Sequence, residues 1–248
     1  HSLRIVEELE QKYPDFPGLN LTWEVREGLA KHQTAYDYPQ RRTGFEAKNS
    51  SLEAQIANLA DEITYYSHDL DDGLESGLLS EKSLIKDVVI FGQAARRVKK
   101  DHGDLPDECR RYFIIRTLID MQIHDVVQTS EAAILSAGVR SADDVRRSSK
   151  ALIQHSFNRR GLNLELRDYL YNHLYYNPVV HEPNSRAVKM LEELFNYFLR
   201  HPKEIGESSQ KRVKKIGLHR AVCDYLAGMT DRYVILEHQR VFGRSFSL

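Results

Sequence analysis

The fold of this chain is decided by one stretch, SLEAQIANLADEITYYSHDLDD, which occupies residues 51–72. Apolar side chains recur in it at helical spacing. They are Leu52, Ile56, Leu59 and Ile63. Three polar residues, Asp61, Tyr65 and Asp69, follow one another at intervals of four and therefore line up along one face of a helix. The stretch predicts a long amphipathic helix over residues 51–73.

Two interpretations of this polar line are open. Hard metal ions prefer carboxylate oxygens, and a hydroxyl group beside them suits a sugar or a phosphate. The line is therefore a candidate ligand site. Alternatively, Asp61, Tyr65 and Asp69 form the solvated acidic face of an ordinary surface helix.

The composition limits the class of protein. With 248 residues and a formal net charge of -1, the chain suits one large domain or two small ones, and no global positive field marks a nucleic-acid binder. No apolar run approaches the roughly 18 residues that a membrane span requires, and residues 1–9 resemble no signal peptide. Cys109 and Cys223 lack partners at zinc-motif spacing, so a reduced, cytoplasmic compartment is predicted.

Helical periodicity extends over the rest of the chain, and convincing strand alternation is absent. Helices are predicted over residues 2–13, 23–32, 51–73, 80–100, 106–136, 164–176, 185–200, 213–227 and 230–242. Residues 36–49 contain Pro39 and Gly44 and are predicted to form a loop. An all-α fold is therefore expected, with residues 1–248 forming a single helical unit.

Four blocks of the sequence, in order, resemble the dGTPase family, the deoxynucleoside triphosphate triphosphohydrolases of the HD-domain superfamily. The first contains FPGLNLT at residues 16–22 and EGLAKH at 27–32. The second is the stretch over residues 51–74. The third is RTLIDM at 116–121 with DVV at 125–127, and the fourth is DYLAGMTDRY at 224–233. Four ordered blocks are far more specific than any single motif.

The resemblance implies an HD-domain-like helical bundle that hydrolyses deoxynucleoside triphosphates to deoxynucleoside and triphosphate. It makes Asp61 the last ligand of a divalent metal (Mg, Mn, Fe or Zn), and it places Tyr65 and Asp69 against the substrate. It also implies a dNTP substrate, with dGTP as one candidate, and a homo-oligomer, either a tetramer or a hexamer. No membrane partner is implied.

The family's other metal ligands and its catalytic histidine precede the blocks found here. We therefore expect the chain to be the C-terminal portion of a larger helical enzyme, inactive as this fragment alone. In this interpretation residues 1–79 form the end of the HD catalytic core and residues 80–248 form the C-terminal helical part. No catalytic residue is assigned, His1 included. The pairs His68-Asp69 and His124-Asp125 do not fall where the family places its His-Asp pair.

A triphosphate requires cationic side chains around it. Lys31 is a candidate because it lies one block before Asp61. The others are Arg110, Arg111 and Arg116, and the alternative role of Arg116 is a buried ion pair with Asp120 at i+4. The basic run over residues 211–215 is a candidate contact for single-stranded DNA or phosphate, with a solvated helix start as its alternative.

Two other functions are open. The chain could be a non-catalytic nucleotide-binding or oligomerisation module of the HD superfamily, which the absence of the upstream ligands from the native gene would favour. It could also belong to an HD phosphohydrolase acting on a different nucleotide. The line of Asp61, Tyr65 and Asp69 argues against the latter, because the resemblance links it to the deoxynucleotide branch.

Overall fold

A computed structural model describes residues 2–33 and 43–243 of the chain. Over these ranges the chain forms twelve α-helices, with an isolated bridge between Gln11 and Gly18 as its only strand-like pairing. The all-α fold class predicted from the sequence is confirmed. Within the same ranges, no helix is both long enough and apolar enough to cross a membrane. His1 and half of the predicted loop over residues 36–49, namely residues 36–42, lie outside the described residues.

Contacts divide the chain into two compact units, His1–Leu174 and Tyr175–Leu248. The helices of the first unit are α1 (Ser2–Arg4), α2 (Trp23–Lys31), α3 (Leu52–Glu75), α4 (Glu81–Asp87), α5 (Val89–His102), α6 (Asp107–Ala137), α7 (Ala142–Arg147) and α8 (Phe157–Leu170). Those of the second are α9 (Pro178–Arg200), α10 (Glu207–Ile216), α11 (Leu218–Ala227) and α12 (Asp231–Phe242). Two π-helical segments, Ile5–Leu9 and Tyr171–Tyr175, follow α1 and α8.

The second unit is distinct because it has a core of its own. Its buried side chains are Leu194, Phe198, Ile205, Ala221, Val222, Leu226 and Val234. They come from α9, α11, α12 and the turn before α10, so these elements bury their apolar faces against one another. Contacts therefore give two units where the sequence favoured one. The functional division after residue 79 stays a prediction.

Helix α3 packs against α2, α6 and α8 in the first unit. Its inner face carries Ile63, Tyr66 and Leu70, all of which are buried. The N-terminal half of the predicted apolar face is different. Ile56 is 52% exposed, because the buried position in that turn is taken by its neighbour Gln55.

Two helices predicted as continuous are interrupted. Val88 adopts an extended conformation between α4 and α5 (φ -127°, ψ 104°). Gly92 allows α5 to lie close to the end of α4, because a Cβ at Gly92 would lie 2.9 Å from the carbonyl oxygen of Ile85. Between α10 and α11, Gly217 has a φ of +82°, a conformation that favours glycine and ends a helix.

Helices α8, α9 and α10 begin earlier than the apolar pattern indicated, and a capping side chain explains the start of α8 and of α9. Ser156 accepts a hydrogen bond from the Arg159 amide at the start of α8. Asn177 accepts one from Val179 at the start of α9, where Pro178 occupies the first turn and needs no hydrogen-bond partner for its nitrogen.

Gln55 ties the start of α3 to the segment before α8. Its Oε1 accepts hydrogen bonds from the backbone amides of Leu152 (2.8 Å) and Ile153 (3.1 Å). Its Nε2 donates to the carbonyl oxygen of Ser50 at 2.9 Å. The side chain is buried, so water does not replace these partners.

We expect Gln55→Ala to lower the free energy of unfolding by about 2–4 kcal/mol, because two buried amide donors lose their acceptor. Equilibrium urea unfolding measures the change. The matched control is Ile56→Ala, whose half-exposed side chain is expected to cost only about 0.5 kcal/mol. Equal losses in the two variants would show that the amide contacts of Gln55 do not stabilise the fold.

Candidate functional site

The three polar residues predicted as a site all lie on α3, so they share a face as the spacing predicted. The side chain of Asp61 is 60% exposed. Tyr65 is 44% exposed and packs edge-on against Tyr66, with ring centroids 5.5 Å apart. Asp69 is half-buried. The roles that the resemblance gives them stay predictions.

A cavity of about 760 Å³ is formed by α2, α3 and the start of α7. Its walls are largely apolar and include Val25, Leu29 and Ala57. Gly28 lets α2 approach α3 closely, because a Cβ at Gly28 would lie 3.0 Å from that of Ala54. Asp61, Asn58 and His32 contribute polar groups to the lining. A mostly apolar pocket with a few polar groups is typical of a small-molecule site.

His32 stands next to Asp61 in this cavity, and the sequence analysis did not select it. Its Nε2 lies 3.7 Å from Oδ2 of Asp61. His32 is the residue at which α2 ends. His32 belongs to the EGLAKH block, next to Lys31, and this was the one indication of its importance in the sequence. Spacing along the chain does not show which residue of α3 His32 contacts.

Lys31 is held by protein groups. Its Nζ donates to Oε1 of Glu27 at 2.7 Å and to the carbonyl oxygen of Asn49 at 2.8 Å. Glu27 is fully buried and also accepts from Nε of Arg146 at 2.9 Å. The Arg146 guanidinium in turn lies 4.8 Å from the centroid of the Trp23 ring. Phosphate binding by Lys31 stays a prediction.

Arg116 is exposed on α6, with its guanidinium 5.8 Å from the centroid of the Phe113 ring. Asp120 is exposed too, and it pairs with Nη1 of Arg97 at 3.3 Å. The alternative of a buried Arg116–Asp120 pair is therefore wrong. The face of α6 at Arg116 is turned to solvent, which is why a charged residue is accommodated there.

No cluster of three or more His, Cys, Asp or Glu side chains within residues 2–33 and 43–243 is arranged to hold a metal ion. His68 and His124 are both exposed. Asp61 and His32 are a carboxylate and an imidazole, a combination that Mn, Fe and Zn accept. The Asp61 carboxylate is suited to bind such a metal with the His32 imidazole beside it, and the described residues by themselves supply no complete ligand set.

A second polar cluster joins α6 to the start of α8. Asp125 accepts from the hydroxyl of Ser156 at 2.6 Å and from its amide at 2.9 Å. Nδ1 of His155 lies 3.4 Å from Asp125, and Nε2 lies 3.1 Å from the Asn163 amide nitrogen. His155 therefore bridges a carboxylate and an amide. This cluster was not predicted from the sequence, because its members come from different parts of the chain.

The pKa values of this cluster shift in the same direction. Burial lowers the pKa of His155 below its usual 6.5, although Asp125 opposes that change. Burial alone would raise the pKa of Asp125, but hydrogen bonds from Ser156 and His155 lower it below 3.8 overall. Both groups therefore bind protons less readily in the folded state than in the unfolded state.

Acidification below about pH 6.5 is expected to destabilise the fold through His155. Below pH 6.5 the unfolded state gains a proton that the folded state does not, so stability falls by up to about 1.4 kcal/mol per pH unit. The contribution of Asp125 is lost only at pH values below 3.8. In urea unfolding at several pH values, His155→Gln should reduce the slope of the free energy of unfolding against pH. The control His124→Gln, at an exposed histidine, should leave this slope unchanged. Equal slopes in the parent and both variants would show that His155 does not cause the loss of stability.

Comparisons with known proteins give a consistent result. Residues 153–240 match the model of a family described as a phosphohydrolase-associated domain. A protein from Geobacter sulfurreducens named deoxyguanosinetriphosphate triphosphohydrolase-like protein is 38% identical over 243 residues, which cover 97% of this chain and 63% of the relative. Proteins of the same name from Bordetella pertussis and Caulobacter sp. strain K31 are 39% and 36% identical, with 63% and 65% of their lengths covered.

The chain thus spans 63–65% of the length of these relatives. The resemblance predicted from the four sequence blocks is confirmed by relatives that cover nearly the whole chain. Their names, together with the phosphohydrolase-associated domain, support a role within a phosphohydrolase family.

Proposed function

We propose that this homologue of the deoxyguanosinetriphosphate triphosphohydrolase-like proteins is part of a metal-dependent enzyme that hydrolyses deoxynucleoside triphosphates to deoxynucleoside and triphosphate. One observation carries the proposal. Asp61 presents an exposed carboxylate to the cavity formed by α2 and α3, beside the imidazole of His32. An exposed carboxylate on a helix face is common, but one that meets an imidazole in a largely apolar cavity suits a metal-assisted reaction.

Asp61 would be one ligand of a divalent metal, which when bound supplies polarisation of a phosphate oxygen and activation of water. Tyr65, one turn further along α3, would pack against the deoxyribose and leave no space for a 2′-hydroxyl group. Asp69, another turn along, would accept a hydrogen bond from a sugar hydroxyl. Arg116 and Lys31 would neutralise phosphate charge, and Lys31 would exchange its Asn49 carbonyl partner for a phosphate oxygen.

The remaining parts of the proposal follow from the family relationship. The chain would be the C-terminal portion of the enzyme, with the other metal ligands and the catalytic histidine supplied by the rest of the protein. The enzyme would act as a homo-oligomer, a tetramer or hexamer, in the cytoplasm. The basic run over residues 211–215 would be its contact for single-stranded DNA. The preferred dNTP, with dGTP as one candidate, is to be identified by measuring triphosphate release from each nucleotide.

The test is triphosphate release by the full-length protein from each of the four dNTPs and the four rNTPs, with Mn²⁺. Chromatography separates intact triphosphate from pyrophosphate and phosphate. We expect triphosphate from at least one dNTP and less from the matching rNTP. No release from any nucleotide, alone or in pairs, would refute the proposal and favour a binding and oligomerisation module.

A further inference from the structure

We propose that His32 is a positioning residue for Asp61: it would orient the carboxylate that binds the metal by donating a hydrogen bond to it. The inference rests on the proposed function, because it requires a metal at Asp61. It adds His32, at the end of α2, to the residues of α3 that the proposed function involves, and it gives His32 the role of orienting Asp61.

The position of His32 is set by contacts on both sides of it in the chain. On the N-terminal side, Nζ of Lys31 is held by Glu27 at 2.7 Å and by the carbonyl oxygen of Asn49 at 2.8 Å. On the C-terminal side, the Gln33 amide donates to Oδ1 of Asn58 at 3.0 Å.

Asn58 lies three residues before Asp61 on α3, so it is on the same side of the helix. The hydrogen bond from Gln33 to Asn58 therefore brings the end of α2 to the turn of α3 that carries Asp61. His32 stands between these two tethers, so its place beside Asp61 does not depend on attraction between the two side chains.

The chemistry of metal sites gives this placement a use. Carboxylates that bind a metal are commonly hydrogen-bonded by an outer group that fixes their orientation. The 3.7 Å between Nε2 and Oδ2 exceeds the 2.7–3.2 Å of an N–H···O bond. The two side chains are 39% and 60% exposed, so small side-chain rotations are free to close this gap.

Two other roles for His32 make different predictions. An exposed ion pair between His32 and Asp61 would add little to stability, and its removal would not weaken metal binding. Direct ligation by the imidazole would make His32 as necessary for the metal as Asp61 itself. A positioning role lies between these limits, because the ligand remains and only its orientation is lost.

The experiment measures Mn²⁺ binding to the full-length protein by electron paramagnetic resonance titration. We expect His32→Ala to weaken Mn²⁺ affinity about 10–100-fold while keeping the stoichiometry at saturation. His32→Gln should recover most of the affinity, because its amide also donates a hydrogen bond. With saturating Mn²⁺, KM for the dNTP should stay unchanged. The control is His68→Ala, an exposed histidine on α3 whose removal should change nothing.

Each contrary result has a separate meaning. Mn²⁺ affinity in His32→Ala equal to that of the parent, with Asp61→Ala unable to bind, would overturn the inference and leave the proposed function intact. Loss of the stoichiometric site in both His32→Ala and His32→Gln would overturn it in favour of direct ligation. A parent that binds no Mn²⁺, or an Asp61→Ala variant that binds it normally, would overturn the proposed function and the inference together.

Discussion

Replacement of Asp61 by alanine in the full-length protein is expected to abolish triphosphate release and to remove the divalent metal. The substitution deletes a charged oxygen ligand, which water replaces poorly. Loss of an outer partner of a ligand typically costs 10–100-fold, so loss of the ligand itself should lower activity by more than about 100-fold. Triphosphate release with Mn²⁺ and metal content by mass spectrometry, measured on the same preparation, check the two parts of this result.

The matched control is Glu75→Ala, which deletes another carboxylate from α3. Glu75 is fourteen residues further along, or about 21 Å by helical rise. It pairs with Nη2 of Arg111 at 3.5 Å and its side chain is 65% exposed, so the pair is worth less than about 1 kcal/mol. Release by Asp61→Ala at the rate of Glu75→Ala would mean that Asp61 is no ligand.

Helix α3 shows how much of the site could be predicted from the sequence. Its periodicity predicted the helix within a few residues of the observed Leu52–Glu75, and therefore the shared face of Asp61, Tyr65 and Asp69. The surroundings of that face could not be predicted in the same way. His32 reaches Asp61 from the end of α2, next to the hydrogen bond that the Gln33 amide donates to the Asn58 side chain. Apolar spacing carries no information about such a contact.

Lys31 shows a similar limit. Its spacing from Glu27 is visible in the sequence and suggests a local pair. The full burial of Glu27 depends on Arg146, which is 119 residues away along the chain. The breaks at Val88 and Gly217 escaped prediction for a related reason. The flanking residues continue the helical pattern, and only the packed structure requires an extended or left-handed conformation there.

The second large effect is expected from Glu27→Ala. Glu27 is fully buried and accepts hydrogen bonds from Lys31 and Arg146, whose side chains are only 14% and 13% exposed. The hydrogen bond to Glu27 also raises the pKa of Arg146, so this guanidinium stays charged. Removal of the carboxylate therefore leaves two largely buried cations close together, although Arg146 keeps its ion pair with the exposed Asp143 at 3.2 Å. Removal of one partner from a buried ionic group typically lowers the free energy of unfolding by about 3–5 kcal/mol.

The same loss would loosen the part of the fold that holds the candidate site. Glu27 connects α2 to α7 through Arg146, and both helices line the cavity that contains Asp61. Lys31, the residue before His32, would lose its contact with Glu27 and would be held less firmly in place. We therefore expect Glu27→Ala to reduce Mn²⁺ affinity as well as stability, whereas Gln55→Ala, which acts where α3 meets the segment before α8, should reduce stability alone.

Thermal and urea unfolding of the parent, Glu27→Ala and Glu24→Ala test this prediction. Glu24 lies one turn earlier on α2 and is exposed, so its removal should change stability by no more than about 0.5 kcal/mol. Glu27→Gln keeps the shape and one acceptor oxygen but loses the charge, and it provides an intermediate case if Glu27→Ala is too unstable to purify. Equal stability in Glu27→Ala and Glu24→Ala would mean that Lys31 and Arg146 find other partners, and that the buried carboxylate does not hold α2 to α7.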